Sequence, residues 1–69
     1  MKARITGTVE YREGDGPMIE IPRGPCEVEP GEDDVTIGWA DGATRGSTAI
    51  PAAEFRRYVD DGSIRLEAA

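Results

Sequence analysis

One stretch, V-T-I-G-W-A-D-G-A-T-R-G-S-T-A-I at residues 35–50, constrains the fold of this chain more than any other. Val35, Ile37 and Trp39 recur at every second position, Asp41-Gly42 follows as a tight-turn signal, and a second extended run comes after it. Side chains of a strand point alternately to its two faces, so this period of two is that of a half-buried antiparallel hairpin. With Asp41 and Gly42 as the central residues of a type I′ turn, Trp39 stands opposite Thr44, Ile37 opposite Gly46 and Val35 opposite Thr48. Gly46 then leaves room for a bulky neighbour or lets the strand coil sharply, as at the corner of a barrel.

Nothing covalent reinforces this hairpin. Cys26 is the single cysteine of 69 residues, so no internal disulfide can form, and a reducing, cytoplasmic setting is the expectation. With no histidine, the chain has neither the usual general base nor the commonest neutral metal ligand, which excludes zinc fingers, zinc hydrolases and Ser-His or Cys-His triads built from these residues alone. A domain this small buries only about 60% of the surface its unfolded chain exposes, so its core must come from apolar patterning. No apolar run approaches the roughly 18 residues of a membrane span, and M-K-A-R-I-T-G-T at the start alternates rather than forming a secretory signal.

Alternation recurs elsewhere. Residues 2–12 hold Ala3, Ile5, Gly7, Val9 and Tyr11 on one parity, which reads as a single long strand. The turn-rich E-G-D-G-P leads to a short strand at residues 18–21, with Ile19 and Ile21 on one face and Pro22 and Pro25 ending it. Residues 26–29 alternate again, placing Cys26 and Val28 inward before the acidic turn P-G-E-D-D. Pro51 opens a short helix, where Ala52, Phe55 and Val59 form an apolar stripe with Tyr58 at its edge, and Gly62 stops it. A last strand at residues 63–67 turns Ile64 and Leu66 inward, giving an expected core of Ile5, Val9, Ile37, Trp39, Phe55, Ile64 and Leu66.

Together these elements imply one all-β domain over residues 1–69, a small barrel of about five strands with one short helix before the last, since closure protects edges that a short chain cannot cover. The order of a first strand, a long irregular hairpin over residues 12–25, the strand at 26–29, the Asp41-Gly42 hairpin and A-I-P-A-A-E-F before the last strand resembles the SH3-like barrels. The resemblance is one of fold. SH3 domains that take proline-rich peptides carry several aromatic residues in the first long loop and paired tryptophans. Here only Tyr11 borders that loop, Trp39 stands alone late in its strand, and Tyr58 echoes the aromatic residue near the helical turn. The resemblance therefore implies the barrel without its peptide specificity.

Charge is the remaining signal. Of 14 acidic and 8 basic residues, the segment 26–44 holds Glu27, Glu29, Glu32, Asp33, Asp34 and Asp41 and no base, so it carries the whole net charge of -6. Asp33 and Asp34 lack the matched partner that acid-base catalysis requires, and their surroundings have no D-x-D-x-D-G calcium spacing. The glycine-bearing turns are followed by no Lys-Ser/Thr, and Cys26 has no activating base, so no enzyme chemistry and no cofactor is implied. The expected function is a noncatalytic interaction module whose Glu27, Glu29, Glu32, Asp33, Asp34 and Asp41, with Trp39 as an anchor, meet a basic macromolecular partner, as a regulator or inhibitor would. The blander readings are an acidic surface kept for solubility and Trp39 as a core residue. An alternative is a nucleic-acid-binding barrel that uses Arg4, Arg12, Arg23 and Arg65. A homodimer through strand edges or the Trp39 surface is also open to so small a core.

Overall fold

The computed structural model describes residues 1–12 and 14–67. Strands β1 (Lys2–Ile5), β4 (Gly24–Pro30), β5 (Asp34–Asp41), β6 (Thr44–Pro51) and β7 (Ile64–Leu66) form one antiparallel sheet in the order β6-β5-β4-β1-β7. A separate ribbon pairs β2 (Glu10–Arg12) with β3 (Met18–Glu20), and the helix α1 (Ala52–Asp60) lies between β6 and β7. The protein is therefore mostly β with one short helix. Among the described residues no ladder joins β6 to β7, so backbone pairing leaves the sheet open at both edges. No described helix is long and apolar enough to cross a membrane.

The hairpin at residues 35–50 forms with a register two residues from the expected one. Asp41 pairs with Thr44, Ala40 with Arg45, Trp39 with Gly46 and Ile37 with Thr48, so Gly42 and Ala43 are the central turn residues. Gly42 has φ +63° while no described non-glycine residue has positive φ, which is the demand of a type II′ turn for glycine at its first central position. A shift of two residues preserves the faces, because side chains alternate with a period of two. Gly46 indeed makes room for a bulky residue, but that residue is Trp39: an added Cβ would stand 2.6 Å from the indole Cζ2.

The expected first strand is broken. Alternation persists through residues 6–9, yet the chain leaves the sheet after Ile5 because Thr6 and Gly7 turn their amides to the Ser63 carbonyl, at 2.8 and 3.1 Å. Pro25, expected to lie outside a strand, sits within β4 opposite Arg4. Val28 donates to the Met1 carbonyl on the β1 side, so alternation points the amide side of position 25 toward β5, whose ladder begins only at Cys26. The missing N–H of Pro25 thus breaks no bond.

One face of the sheet buries Ala3, Ile5, Cys26, Val28, Val35, Ile37, Ile50 and Ile64, joined by Val9 and Ile21 from the approaches to the ribbon. Tyr11, Trp39, Ala52, Phe55, Tyr58 and Val59 are half-buried over this cluster. Leu66, expected in the core, is 46% exposed. It pairs with Ala3 on the edge strand β7, and α1 approaches the sheet from the Ile64 end, leaving Leu66 beyond the cover. Ile19 is likewise exposed, because the two-stranded ribbon folds only Ile21 and Val9 onto the core.

Helix α1 begins one residue later than expected, with Pro51 as the N-cap residue, and its Ala52 amide donates to the Asp33 carbonyl at 3.1 Å. Its other end closes with the two bonds of a Schellman motif, Gly62 N–H to Val59 O and Ser63 N–H to Tyr58 O. The Tyr58 hydroxyl donates to the Glu10 carbonyl at 3.3 Å and so ties the helix to the ribbon. At this joint the Asp61 carboxylate is held below its ordinary range by the Ser63 hydroxyl and then by the Ser63 amide, which lies 2.9 Å away.

Two measurements check this architecture. Gly46→Ala forces a methyl into the Trp39 ring and is expected to cost about 1–3 kcal/mol, whereas Gly38→Ala, whose Cβ would meet nothing nearer than the Gly46 carbonyl at 4.0 Å, leaves the melting temperature nearly unchanged. Equal melting temperatures would contradict the Trp39–Gly46 contact. For Asp61, carbon-detected titration should give a depressed carboxyl pKa that rises toward the ordinary value in Ser63→Ala. Because folding lowers this pKa, the stabilisation is present above the unfolded-state value and is lost as pH falls through the folded one.

Candidate interaction surface

The face of the sheet opposite the core is exposed, and the register decides what stands on it. Lys2, Glu27, Gly38 and Ser47 form one transverse row through successive pairings, and the Glu67 amide bonded to the Lys2 carbonyl brings Glu67 to its end. In the next row Arg65 pairs with Arg4, Arg4 with Pro25, and Ala40 with Arg45. Toward the other end of the strands come Glu29 beside Thr36, and then Asp34 at the start of β5.

This arrangement separates the charges into two ends. Glu27, Glu29 and Asp34 are exposed on this face, and Glu32 and Asp33 are exposed in the tight turn that follows β4, closed by the Gly31 amide on the Asp34 carbonyl at 2.7 Å. The bond from Ala52 to Asp33 seats this turn beside the N-terminus of α1, where the helix dipole moderates repulsion among carboxylates. Among the described residues only Glu27 of these five forms an ion pair, with the Met1 amino group at 3.6 Å, and Lys2 stands across the strand from it. Glu29, Glu32, Asp33 and Asp34 are thereby brought together, while Glu27, level with Lys2 and Gly38, stands on the same face nearer the basic row.

Asp41 and Trp39 lie elsewhere. Asp41 ends β5, seven residues and about 23 Å along the strand from Asp34 at the ordinary rise. Trp39 is on the core side, half-buried, its indole over Gly46 and its ring centroid 5.7 Å from that of Tyr11 at 55°. The tryptophan therefore packs against the core cluster, and it also belongs to the lining of a groove that Glu27 and Glu67 border.

The arginines also regroup. Arg4 and Arg65 are direct cross-strand neighbours, Arg45 closes their row from β6, and Arg23 lies just before β4 at the same end. Arg12 is in the ribbon, away from this row. A stripe of Arg4, Arg12, Arg23 and Arg65 read from the sequence leaves out Arg45, whose spacing suggests instead a counter-patch with Arg56 and Arg57, because proximity across β6, β5, β4 and β1 is a property of register and not of sequence spacing. Arg56 and Arg57 are exposed on α1, Arg57 lying 3.8 Å from Glu54.

At the basic end the face bears a groove of about 760 Å³ whose lining includes Pro25, Gly38, Ala40, Arg45, Lys2 and Glu27. Cys26 lies beneath it, 7% exposed. Burial pushes its thiol pKa up, and the carboxylates of Glu27 and Glu67 add to the rise. Among the described residues there is no group of three or more Cys, Asp or Glu side chains placed to hold a metal ion. No family model, no curated protein and no solved structure matches the chain.

A buried, protonated thiol is a poor nucleophile. Cys26 in the folded protein is accordingly expected to react with an aromatic disulfide reagent at least about 100-fold more slowly than in denaturant, a protection set by the opening free energy. Labelling at the same rate in both conditions would contradict the placement of Cys26 beneath the sheet.

Proposed function

We infer that the chain is a noncatalytic interaction module that binds a basic macromolecular partner through Glu27, Glu29, Glu32, Asp33 and Asp34. The observation that carries this reading is the convergence of Glu29, Glu32, Asp33 and Asp34 at one end of one exposed sheet face, on the β4–β5 hairpin and a turn bonded to α1, with Glu27 further along the same face of β4. Rigid placement matters because charges held in position by backbone pairing lose little side-chain and loop entropy on binding. The meander order β6-β5-β4-β1-β7, with a ribbon between β1 and β4 and a helix before β7, supports reading the sheet as a curled SH3-like barrel. In that reading the core face lies inside the barrel and the charged face outside it.

The test uses an oligo-arginine peptide as a basic probe, followed by amide chemical shifts. Shifts are expected to centre on residues 27, 29 and 32–34 and to shrink as salt shortens the screening length. Replacing Glu32, Asp33 and Asp34 by Gln, Asn and Asn should weaken binding roughly tenfold, about 1.4 kcal/mol, while the melting temperature stays nearly constant because these are exposed turn positions. Binding indifferent to both the substitutions and salt would refute the reading.

The alternative, a nucleic-acid-binding barrel using Arg4, Arg12, Arg23 and Arg65, draws support from the pairing of Arg4 with Arg65. Arg12 stands apart in the ribbon, and the net charge of -6 opposes approach of a polyanion. A single-stranded oligonucleotide bound by the wild type and lost in Arg4→Gln/Arg65→Gln would replace the first reading with this one.

A further inference from the structure

The groove on the exposed face has walls of both signs. Arg45 stands on the β6 side and Lys2 on the β1 side, and among the described residues neither has an ion-pair partner. Glu27 and Glu67 share the same rim. Between them the floor is small and largely apolar: Pro25, Ala40 and Gly38, where an added Cβ would meet nothing nearer than the Gly46 carbonyl at 4.0 Å. A uniform polyanion would bring charge against Glu27 and Glu67, whereas a narrow polypeptide turn with a few carboxylates at its tip can place them on Arg45 and Lys2 alone.

The chain carries such an element itself, the turn between β4 and β5 with exposed Glu32, Asp33 and Asp34. Turn and groove are borne by the same two strands at opposite ends. A two-fold axis crossing β4 and β5 midway, in the plane between two facing copies, therefore sets each turn over the other copy's groove. Such a contact is closed and self-complementary, as symmetric dimers require. We propose that the groove receives the acidic β4–β5 turn of a second copy of this chain, in a reciprocal two-fold dimer. The same axis brings the two Glu29 side chains near one another, a like-charge contact that weakens the dimer and that Glu29→Gln relieves.

Sedimentation equilibrium over micromolar to millimolar protein tests the proposal. The wild type is expected to dimerise at low salt and to dissociate as salt is raised, and Glu29→Gln to dimerise more tightly. Lys2→Glu/Arg45→Glu, a groove variant, and Glu32→Lys/Asp33→Lys, a turn variant, should each be monomeric, with dichroism and melting close to wild type. Mixing the two restores the dimer, because the reversed turn meets the reversed groove while the other turn and groove remain native. A wild type that is monomeric throughout, a groove variant that still dimerises, a folded mixture that fails to associate, or an unchanged Glu29→Gln would each overturn the arrangement. An oligonucleotide that binds the wild type at Lys2 and Arg45 would do so too. Charge reversal at Lys2 and Arg45 adds negative charge beside Glu27 and so does not weaken oligo-arginine binding, and a groove variant that loses the dimer while keeping or strengthening that binding separates this proposal from the proposed function.

Discussion

The register of β5 is the constraint on which the rest of this structure depends. The strand pairs with β4 on one side and β6 on the other, and it is pinned at two points: the positive φ of Gly42 at the turn and the indole of Trp39 lying where Gly46 has no side chain. A slip of one residue would turn Val35 and Ile37 to solvent and carry Thr36 and Ala40 into the core. The same slip would scatter the acidic and basic groups, since each is placed on the exposed face by pairing back to β5. Core and surface are thus two consequences of one ladder.

A second joint closes the chain's ends onto that ladder. The Schellman bonds at Gly62 and Ser63 stop α1 and aim the Ser63 carbonyl at the amides of Thr6 and Gly7, and the Thr6 hydroxyl donates to the Gly62 carbonyl. This ends β1 after Ile5 and delivers β7 antiparallel beside it, with Ile64 opposite Ile5 in the core. Tyr58 then carries the helix to the ribbon through Glu10. In a domain with no disulfide and few large side chains, these polar ties supply order that apolar burial alone could not.

Charge is organised by the same geometry. Along the chain six of the 14 acids form one base-free block at residues 26–44, but in space Asp41 is carried to the far end of β5, Glu27 stands opposite Lys2, and Glu29, Glu32, Asp33 and Asp34 gather about the β4–β5 turn. Three of the eight bases, Arg4, Arg45 and Arg65, converge from β1, β6 and β7 on a single row. A protein with a net charge of -6 thereby presents a face that is acidic at one end and basic at the other. Its long-range field and its short-range contacts can favour different partners, because the first is set by net charge and the second by local pairing.

The sequence by itself determined the β character, the central hairpin, the helix between Pro51 and Gly62 and most of the core, because alternation, turn glycine and helical spacing are local properties of the chain. Ile5, Val9, Ile37 and Ile64 are buried as their parity implies. Only the tertiary structure decided the rest. Alternation could not reveal that β1 stops at Ile5, since the cause is a carbonyl on Ser63, nor that Leu66 falls beyond the cover of α1. Asp-Gly marked the turn, but its phase was settled by the fit of Trp39 on Gly46. The meeting of Arg4, Arg45 and Arg65, and the parting of Asp41 from Asp34, follow from strand order and register, which no spacing in a single sequence encodes.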